Sequence, residues 1–190
     1  MSRAREAAYA LFGAYRLAHL DPSGLQYFNA TVQGFWRSFL AALIVAPGYA
    51  ILIALELGQS PDAASLDWGH IALVQTIAYV ISWTAFPVAL HYLTALIDRH
   101  EEYVGYIVAY NWAAVIQMGV LLPAAALQAM IPGDVGGLIM LPVVIATAFY
   151  QWFIARTALR IGRGAAAGIV GFDFALSLFI ASIAATIRGA

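Results

Sequence analysis

Five polar side chains interrupt the most apolar stretches of this chain, and their types are the ones that could do chemistry. The only acidic one is Asp173, in the middle of an apolar run from Ala165 to Ile187. A carboxylate at the centre of a bilayer costs roughly 2.5–3.5 kcal/mol, so such a residue is protonated, paired or facing water inside a bundle. The other four are His91, Asn111, Gln151 and Ser177.

Four of these residues fall on four different apolar runs at a similar distance from one end. At 1.5 Å per residue, they lie about 10–14 Å from that end, and they are His91, Asn111, Gln151 and Asp173. We expect one intramembrane polar layer in which His91 is the partner of Asp173. A carboxylate beside an imidazole could relay protons or bind a solute. The alternative is a layer that only cross-links helices, at about 0.6 kcal/mol for each polar contact.

Catalytic and cofactor chemistry find little support in the sequence. Cys and Lys are absent, which excludes disulfides, thiolate metal sites and Schiff-base enzymes. No His, Asp or Glu spacing matches a metal site such as HExxH, and His91 is the only deeply placed histidine, whereas a b-type haem usually needs two. We therefore predict no cofactor, no metal and no catalytic residue. The enzymatic alternative is an intramembrane site built on Asp173 or His91.

The composition predicts an integral membrane protein. Of the 190 residues, 63% are hydrophobic and 10% are charged, whereas soluble domains carry about 25% charged residues. A helix needs about 20 apolar residues to span a bilayer, and five runs qualify. They cover residues 35–57, 70–98, 103–131, 135–160 and 165–187. The predicted fold is an all-α bundle of five transmembrane helices, and a net charge of −1 argues against a nucleic-acid partner.

Residues 1–34 are too polar to span, and we expect them to lie on the cytoplasmic surface of the membrane. An amphipathic interfacial helix keeps its apolar side chains on one face. That face consists of Ala4, Ala8, Leu11, Phe12 and Tyr15. Asp21 and Pro22 then predict the N-cap and first turn of a short second helix that extends to about Phe28.

The placement of arginine predicts the orientation of the chain. All nine basic residues are arginines. Eight of them flank one side of the five runs, and only Arg188 flanks the other. Cytoplasmic loops carry an excess of Arg and Lys. We therefore expect a multi-pass protein of a bacterial inner membrane, with the N-terminus in the cytoplasm and the C-terminus in the periplasm.

Two features of the runs concern helix shape and packing. Pro47 and Pro87 each remove a helical hydrogen bond near mid-membrane, which predicts a kink, or else a hinge or a cation-binding break. The last run repeats small residues every four positions, beginning with Gly164 and Gly168. Small residues at this spacing allow close helix contact. This helix is therefore expected at the centre of the bundle or at a seam for self-association or another membrane subunit.

Three arginines recur on one helical face at the cytoplasmic end of the fourth run. They are Arg156, Arg160 and Arg163. Their positive charge could bind the headgroup of an anionic lipid. The alternatives are ion pairs with Glu101 and Glu102, or a plain orientation signal.

The chain resembles the Yip1 superfamily of small membrane proteins in having five spans, a cytoplasmic N-terminal segment and a C-terminus on the far side. The stretch RLAHLDPSG, from Arg16 to Gly24, resembles the short pre-membrane segment of bacterial Yip1-like proteins, although the DLYGP-type motif of eukaryotic members is absent. The family is linked to membrane trafficking and shaping. The resemblance implies a non-enzymatic membrane protein and brings no site residues with it.

These features together predict a scaffold or accessory subunit that acts through contacts with lipids and other proteins. Almost every residue belongs to an apolar run or a short connection, which leaves little surface outside the membrane for other work. The alternative is a small transporter or proton-coupled channel with its site around Asp173 and His91.

Overall fold

The computed structural model describes residues 3–59, 66–131 and 134–189, without the side chains of residues 134–137. Within these ranges the chain is helical and contains no strand. Short 3-10 helices lie at Pro22–Tyr27 and His100–Glu102. The α-helices are α1 (Arg3–Ala18), α2 (Val32–Ser38), α3 (Leu40–Gly58), α4 (Trp68–Leu96), α5 (Tyr103–Met130), α6 (Asp134–Ala158) and α7 (Arg163–Arg188).

Five helical segments are long and apolar enough to cross a membrane, which confirms the predicted fold class. Helices α2 and α3 together supply the first segment, Val32–Gly58, and α4 to α7 supply the other four. The ends differ from the predicted runs by a few residues. Helices α4 and α5 contain 29 and 28 residues, or about 43 and 42 Å at 1.5 Å per residue. Both therefore exceed the roughly 30 Å hydrocarbon core of a bilayer.

The buried core lies at one end of the bundle, around the first half of α5. Helices α1, α2, α3 and α6 all pack against α5, and Tyr106, Ile107 and Trp112 are buried in it. Beyond this region the spans expose large apolar side chains, such as Leu141 on α6 and Phe179 on α7. Apolar side chains facing outward are what a lipid environment requires. The larger core thus lies at one end of the bundle, and a smaller buried cluster joins α4 and α7 in the other half.

Helix α1 packs on the bundle through small residues rather than through its predicted apolar face. Its buried residues are Ala10, Gly13, Ala14 and Leu17. The hydroxyl of Tyr150 on α6 donates to the carbonyl oxygen of Ala14 at 2.7 Å, which ties α1 to α6. On the predicted face, Phe12 and Tyr15 remain 48% and 53% exposed. Small side chains allow a close approach of the helices, and the aromatic side chains are left facing outward.

The chain turns between α1 and the first 3-10 helix through a left-handed residue and a capped helix start. Leu20 has φ 59°, and Asp21 caps the next helix by accepting from the Ser23 amide at 3.0 Å. The Asp-Pro pair predicts this cap, and Pro22 occupies the first turn. Arg16 donates through Nε to Asp21 at 2.7 Å. The RLAHLDPSG stretch therefore ends one helix and starts the next.

Two glycines bring α1 and this 3-10 helix into backbone contact. A Cβ added at Gly24 would lie 2.5 Å from the carbonyl oxygen of Gly13 and 2.9 Å from Cγ of Leu17. A Cβ added at Gly13 would lie 2.7 Å from the carbonyl oxygen of Gly24. Both distances are too short for any side chain, so this close approach requires glycine at both positions.

Helix α7 lies at the edge of the bundle, where it packs against α4 and α6. The expectation that it is central is therefore wrong. Its small-residue face is open, because a Cβ added at Gly164, Gly168 or Gly171 meets nothing within 4 Å. Contact between this open face of α7 and another chain stays a prediction.

At the far end of the bundle, the last turn of α7 lies close to the end of α3 and the start of α4. Arg188 pairs with Glu56 of α3 at 3.7 Å, and a ring nitrogen of His70 lies 3.2 Å from the carbonyl oxygen of Ile187. Helix α1 packs at the opposite end. Helix α1 and the last turn of α7 therefore lie at opposite ends of the bundle.

Pro47 and Pro87 both lie inside continuous helices, α3 and α4. Neither proline breaks its helix, so a break that could bind a cation is not found at these two positions. The first span is instead interrupted at Phe39, between α2 and α3. Kinks at the two prolines stay a prediction.

Candidate functional site

Asp173 on α7 is bound by a tyrosine of α5. The hydroxyl of Tyr110 lies 3.0 Å from each carboxylate oxygen of Asp173. A hydroxyl has one proton to donate, so this is a single bifurcated contact. The carboxylate therefore has acceptor capacity left over after this bond.

Aromatic packing holds Tyr110 in position. Its ring centroid lies 4.7 Å from that of Phe86 on α4 and 6.0 Å from that of Tyr106, one turn earlier on α5. Phe86 and Tyr106 are both buried in the core. The hydroxyl that meets Asp173 is thus presented by a rigid part of the bundle, which is the arrangement a preorganised binding site needs.

Asp173 and Tyr110 line a groove of 860 Å³ between α5, α6 and α7. The groove is open on one side, where its wall includes the exposed residues Ile145 and Phe174. Its other polar members are Gln117, Thr147, Gln151 and Ser177. Two residues of the predicted layer, Gln151 and Ser177, therefore do lie with Asp173 in one site.

Gln151 supplies an unsatisfied acceptor in this region. Its Oε1 atom is buried and has no hydrogen-bond donor among the described residues. Buried polar atoms in native proteins are nearly always paired with protein, water or ligand. Gln151 thus leaves one buried acceptor unpaired on the α6 wall of the groove.

The predicted pairing of His91 with Asp173 is wrong. His91 is exposed and does not line the groove. Its ring lies 4.8 Å from that of His100 and 5.3 Å from that of Tyr103, both between centroids. Helix α4 faces the core with Phe86 and Leu90, which leaves His91 outside.

Asn111 belongs to a different part of the bundle from Asp173. Its amide nitrogen donates to the Ser38 hydroxyl at 2.8 Å, and that hydroxyl donates to the Phe35 carbonyl oxygen at 2.7 Å. Both side chains are buried. Asn111 thus links α5 to the first span, next to the interruption of that span at Phe39. Linking helices in this way is the alternative role that the sequence leaves open for the polar layer.

Arg156, Arg160 and Arg163 form an exposed cationic rim where α6 ends and α7 begins. Arg156 lies over the ring of Trp152 at 5.6 Å, and Nε1 of Trp152 donates to the Arg163 carbonyl oxygen at 3.0 Å. Trp152 also lines the groove, so it joins the rim to the groove. Ion pairs with Glu101 and Glu102 were one alternative for these arginines. Within the described ranges, no ion pair joins the rim to any carboxylate.

A second polar cluster, which the sequence does not predict, joins α1 to α2. Glu6 accepts from Arg37 at 2.6 Å and from the side-chain amide of Asn29 at 2.8 Å, and its side chain is only 13% exposed. Burial by itself raises the pKa of Glu6, but the hydrogen bonds from Asn29 and Arg37 outweigh it and hold that pKa below its ordinary value of 4.5. The partners lie 23 and 31 residues from Glu6 in sequence, so no local pattern could have identified them.

The groove and its rim combine chemical groups that suit the recognition of a ligand. Across the part of the chain that is described, no three His, Asp or Glu side chains are grouped as metal ligands. The groove instead combines one carboxylate, several neutral polar groups and an apolar wall, with a cationic rim beside it. Pockets that combine an apolar wall with a few placed polar groups are typical of ligand-binding sites.

Comparison with known proteins identifies no relative of this chain. The chain has no significant match among protein-family models, curated proteins or solved structures. The Yip1-like resemblance therefore stays a prediction, and function has to be argued from the groove and its rim.

Proposed function

We propose that this chain is a non-enzymatic protein of a bacterial inner membrane that binds an anionic phospholipid at the rim formed by Arg156, Arg160 and Arg163, and acts as a scaffold or accessory subunit. The observation that carries the proposal is that three exposed arginines have no carboxylate partner in the described chain. They stand next to Trp152, which also lines the lateral groove.

The chemistry of the rim suits a phosphate at the membrane surface. Guanidinium groups bind phosphate oxygens through two parallel hydrogen bonds, and each Arg near an anionic surface contributes about 1 kcal/mol to the attraction. Trp152 adds an aromatic ring of the kind enriched at the headgroup level. The groove beside it offers an apolar wall for one acyl chain.

The lengths of the helices support this placement of the rim. Arg188 and Glu56 pair at the far end of the bundle. Measured from Arg188 along α7, a core about 30 Å thick extends for roughly 20 residues, which ends near Gly168. Arg163 then lies just outside the core, at headgroup level. Asp173 lies inside it, about 22 Å from Arg188, and so about halfway between the middle of the core and its inner surface.

The orientation is part of the proposal. Eight arginines belong to the end of the bundle where α1 packs, and Arg188 belongs to the other end. Positive residues favour the cytoplasmic side, so we propose a cytoplasmic N-terminus and a periplasmic C-terminus. A reporter enzyme that is active only in the periplasm should be active when fused to the C-terminus, and activity only of an N-terminal fusion would reverse the orientation.

Native mass spectrometry from nanodiscs that contain equal amounts of phosphatidylglycerol and phosphatidylcholine tests the lipid proposal. We expect the protein to retain phosphatidylglycerol selectively. The triple variant Arg156→Gln/Arg160→Gln/Arg163→Gln should lose this selectivity by about 100-fold, since each arginine contributes about 1 kcal/mol and 1.4 kcal/mol is a factor of ten. Arg188→Gln, at the far end, is the control that should retain it. Equal retention by the triple variant and the parent protein would reject the proposal.

Transport is the second candidate function, because Asp173 lines an open groove rather than a sealed pocket. An intramembrane carboxylate beside a cavity suits a proton or solute pathway. Proton flux into liposomes, followed with a pH-sensitive dye, separates the two candidates. Transport requires a flux that Asp173→Asn abolishes, whereas the lipid-binding proposal expects the same background leak from both proteins.

A further inference from the structure

We propose that the groove between α5, α6 and α7 binds the primary ammonium group and one alkyl chain of an amphiphile, with Asp173 as its counter-ion. This site differs from the arginine rim in its charged residue, in the sign of that charge and in the headgroup that it binds, although its alkyl chain lies in the groove that an acyl chain of the phospholipid would also use. It goes beyond the proposed function and does not depend on it.

The charge of the groove points to a cation. Asp173 is the only charged side chain among the described residues that line it, and no Arg or His forms an ion pair with it within the described ranges. Its one protein donor is the neutral hydroxyl of Tyr110. A carboxylate in a low-dielectric site requires a compensating positive charge or a proton, and a bound ammonium group supplies the former.

The acceptor oxygens of the groove point to a cation that carries N–H donors. Oε1 of Gln151 is buried without a donor, and the hydroxyl of Tyr110, which gives its proton to Asp173, keeps lone pairs free. These two oxygens and the Asp173 carboxylate make three acceptors on three helices. A primary ammonium group has three N–H donors, which matches this set in number and in sign.

The remainder of the groove points to an alkyl chain. Its apolar members include Leu121, Val144 and Ile145, and they continue from the polar end toward the outer half of the bundle. The open side faces the surface where Ile145 and Phe174 are exposed. An amphiphile could therefore enter laterally from the lipid, with its charged end stopping at Asp173. An aminolipid or a free long-chain amine would present the same chemistry.

Dodecylammonium tests the proposal in nanodiscs of neutral phosphatidylcholine. A bromine at the end of its chain quenches tryptophan fluorescence, and the quenching that Leu121→Trp adds to that of the parent protein reports on the apolar end of the groove. We expect saturable quenching. Bromododecanol, which has no charge, should bind at least 10-fold more weakly. The trimethylammonium analogue, which keeps the charge but has no N–H donor, should bind several-fold more weakly.

Variants locate the site and separate it from the rim. Asp173→Asn keeps an acceptor for Tyr110 and should weaken dodecylammonium binding at least 10-fold. Gln151→Leu leaves the pair of Tyr110 and Asp173 intact and should weaken it several-fold. The triple arginine variant should bind dodecylammonium normally while losing phosphatidylglycerol selectivity, so either proposal can fail alone. Unchanged binding to Asp173→Asn would overturn this proposal. So would equal affinity of the unmodified protein for the ammonium, alcohol and trimethylammonium probes.

An aminolipid and a free amine are distinguished by a competition experiment in the same nanodiscs. Phosphatidylethanolamine incorporated at 30% of the lipid should displace the brominated probe if a lipid headgroup can occupy the site. If it does not displace the probe, while dodecylamine without bromine does, the ligand is a free single-chain amine. Failure of both to displace the probe would mean that quenching reports partition into the bilayer, which would overturn the proposal.

Discussion

The contact between Tyr110 and Asp173 should be worth more than an ordinary tyrosine hydrogen bond, because one partner is a carboxylate. Hydrogen bonds to charged groups contribute about 1.5–3 kcal/mol, and neutral ones about 1 kcal/mol. For a chain of 150–250 residues, each kcal/mol shifts the thermal midpoint by roughly 2–4 °C. Tyr110→Phe should therefore lower the midpoint by about 3–12 °C.

Tyr150→Phe is the matched control, since it also deletes one hydroxyl from an otherwise apolar position. Tyr150 donates to the neutral carbonyl oxygen of Ala14 at 2.7 Å, and Tyr110 donates to Asp173 at 3.0 Å. Distance alone would favour the Tyr150 bond, so a larger effect at Tyr110 must come from the charge. We expect Tyr150→Phe to lower the midpoint by only about 2–4 °C.

A double-mutant cycle isolates the pairwise energy. The four proteins are the unmodified chain, Tyr110→Phe, Asp173→Leu and the double variant, unfolded thermally in one detergent and followed by circular dichroism. Tyr110→Phe should cost little once Asp173 is replaced, which gives a coupling energy of about 1.5–3 kcal/mol. Additivity within about 0.5 kcal/mol, or an effect of Tyr110→Phe no larger than that of Tyr150→Phe, would refute the reasoning.

Two further predictions concern the attachment of α1 to the bundle. Gly24→Ala places a Cβ 2.5 Å from the carbonyl oxygen of Gly13, so it should destabilise this contact by about 1–3 kcal/mol and make α1 more sensitive to limited proteolysis. Gly119→Ala, where a Cβ meets nothing within 4 Å, should not, and equal sensitivity of the two variants would contradict the close approach. Because the folded-state pKa of Glu6 lies below its ordinary value of 4.5, its ion pair stabilises α1 above that value and is lost as the pH falls through the lowered pKa. Between pH 6 and 3 the thermal midpoint should therefore fall more steeply for the parent protein than for Glu6→Gln, and parallel curves would rule out this contribution.

The sequence predicts those features that depend on local composition and spacing. Runs of apolar residues locate the five spans, because a bilayer requires length and low charge in one continuous segment. Asp21 followed by Pro22 predicts a capped helix start, because the cap depends on residues only two positions apart.

The partners in the candidate site could not be predicted, because they depend on how the helices pack. Tyr110 and Asp173 lie 63 residues apart in sequence, and nothing local distinguishes Tyr110 from Tyr106 one turn earlier on the same helix. His91 has the chemistry expected of a partner for Asp173, but rotation of α4 places it outward. On α1, both faces contain apolar residues, and periodicity cannot tell a small-residue packing face from an aromatic outer face.

The most direct test of the central claim is an electron cryo-microscopy structure of the protein in nanodiscs of phosphatidylglycerol, with a bound antibody fragment to add mass. The account predicts density for a phosphate within about 3 Å of a guanidinium nitrogen of Arg156, Arg160 or Arg163. It also predicts an acyl chain along the groove beside Trp152. An unoccupied rim in this lipid, or arginines paired with Glu101 and Glu102 instead of phosphate, would contradict it.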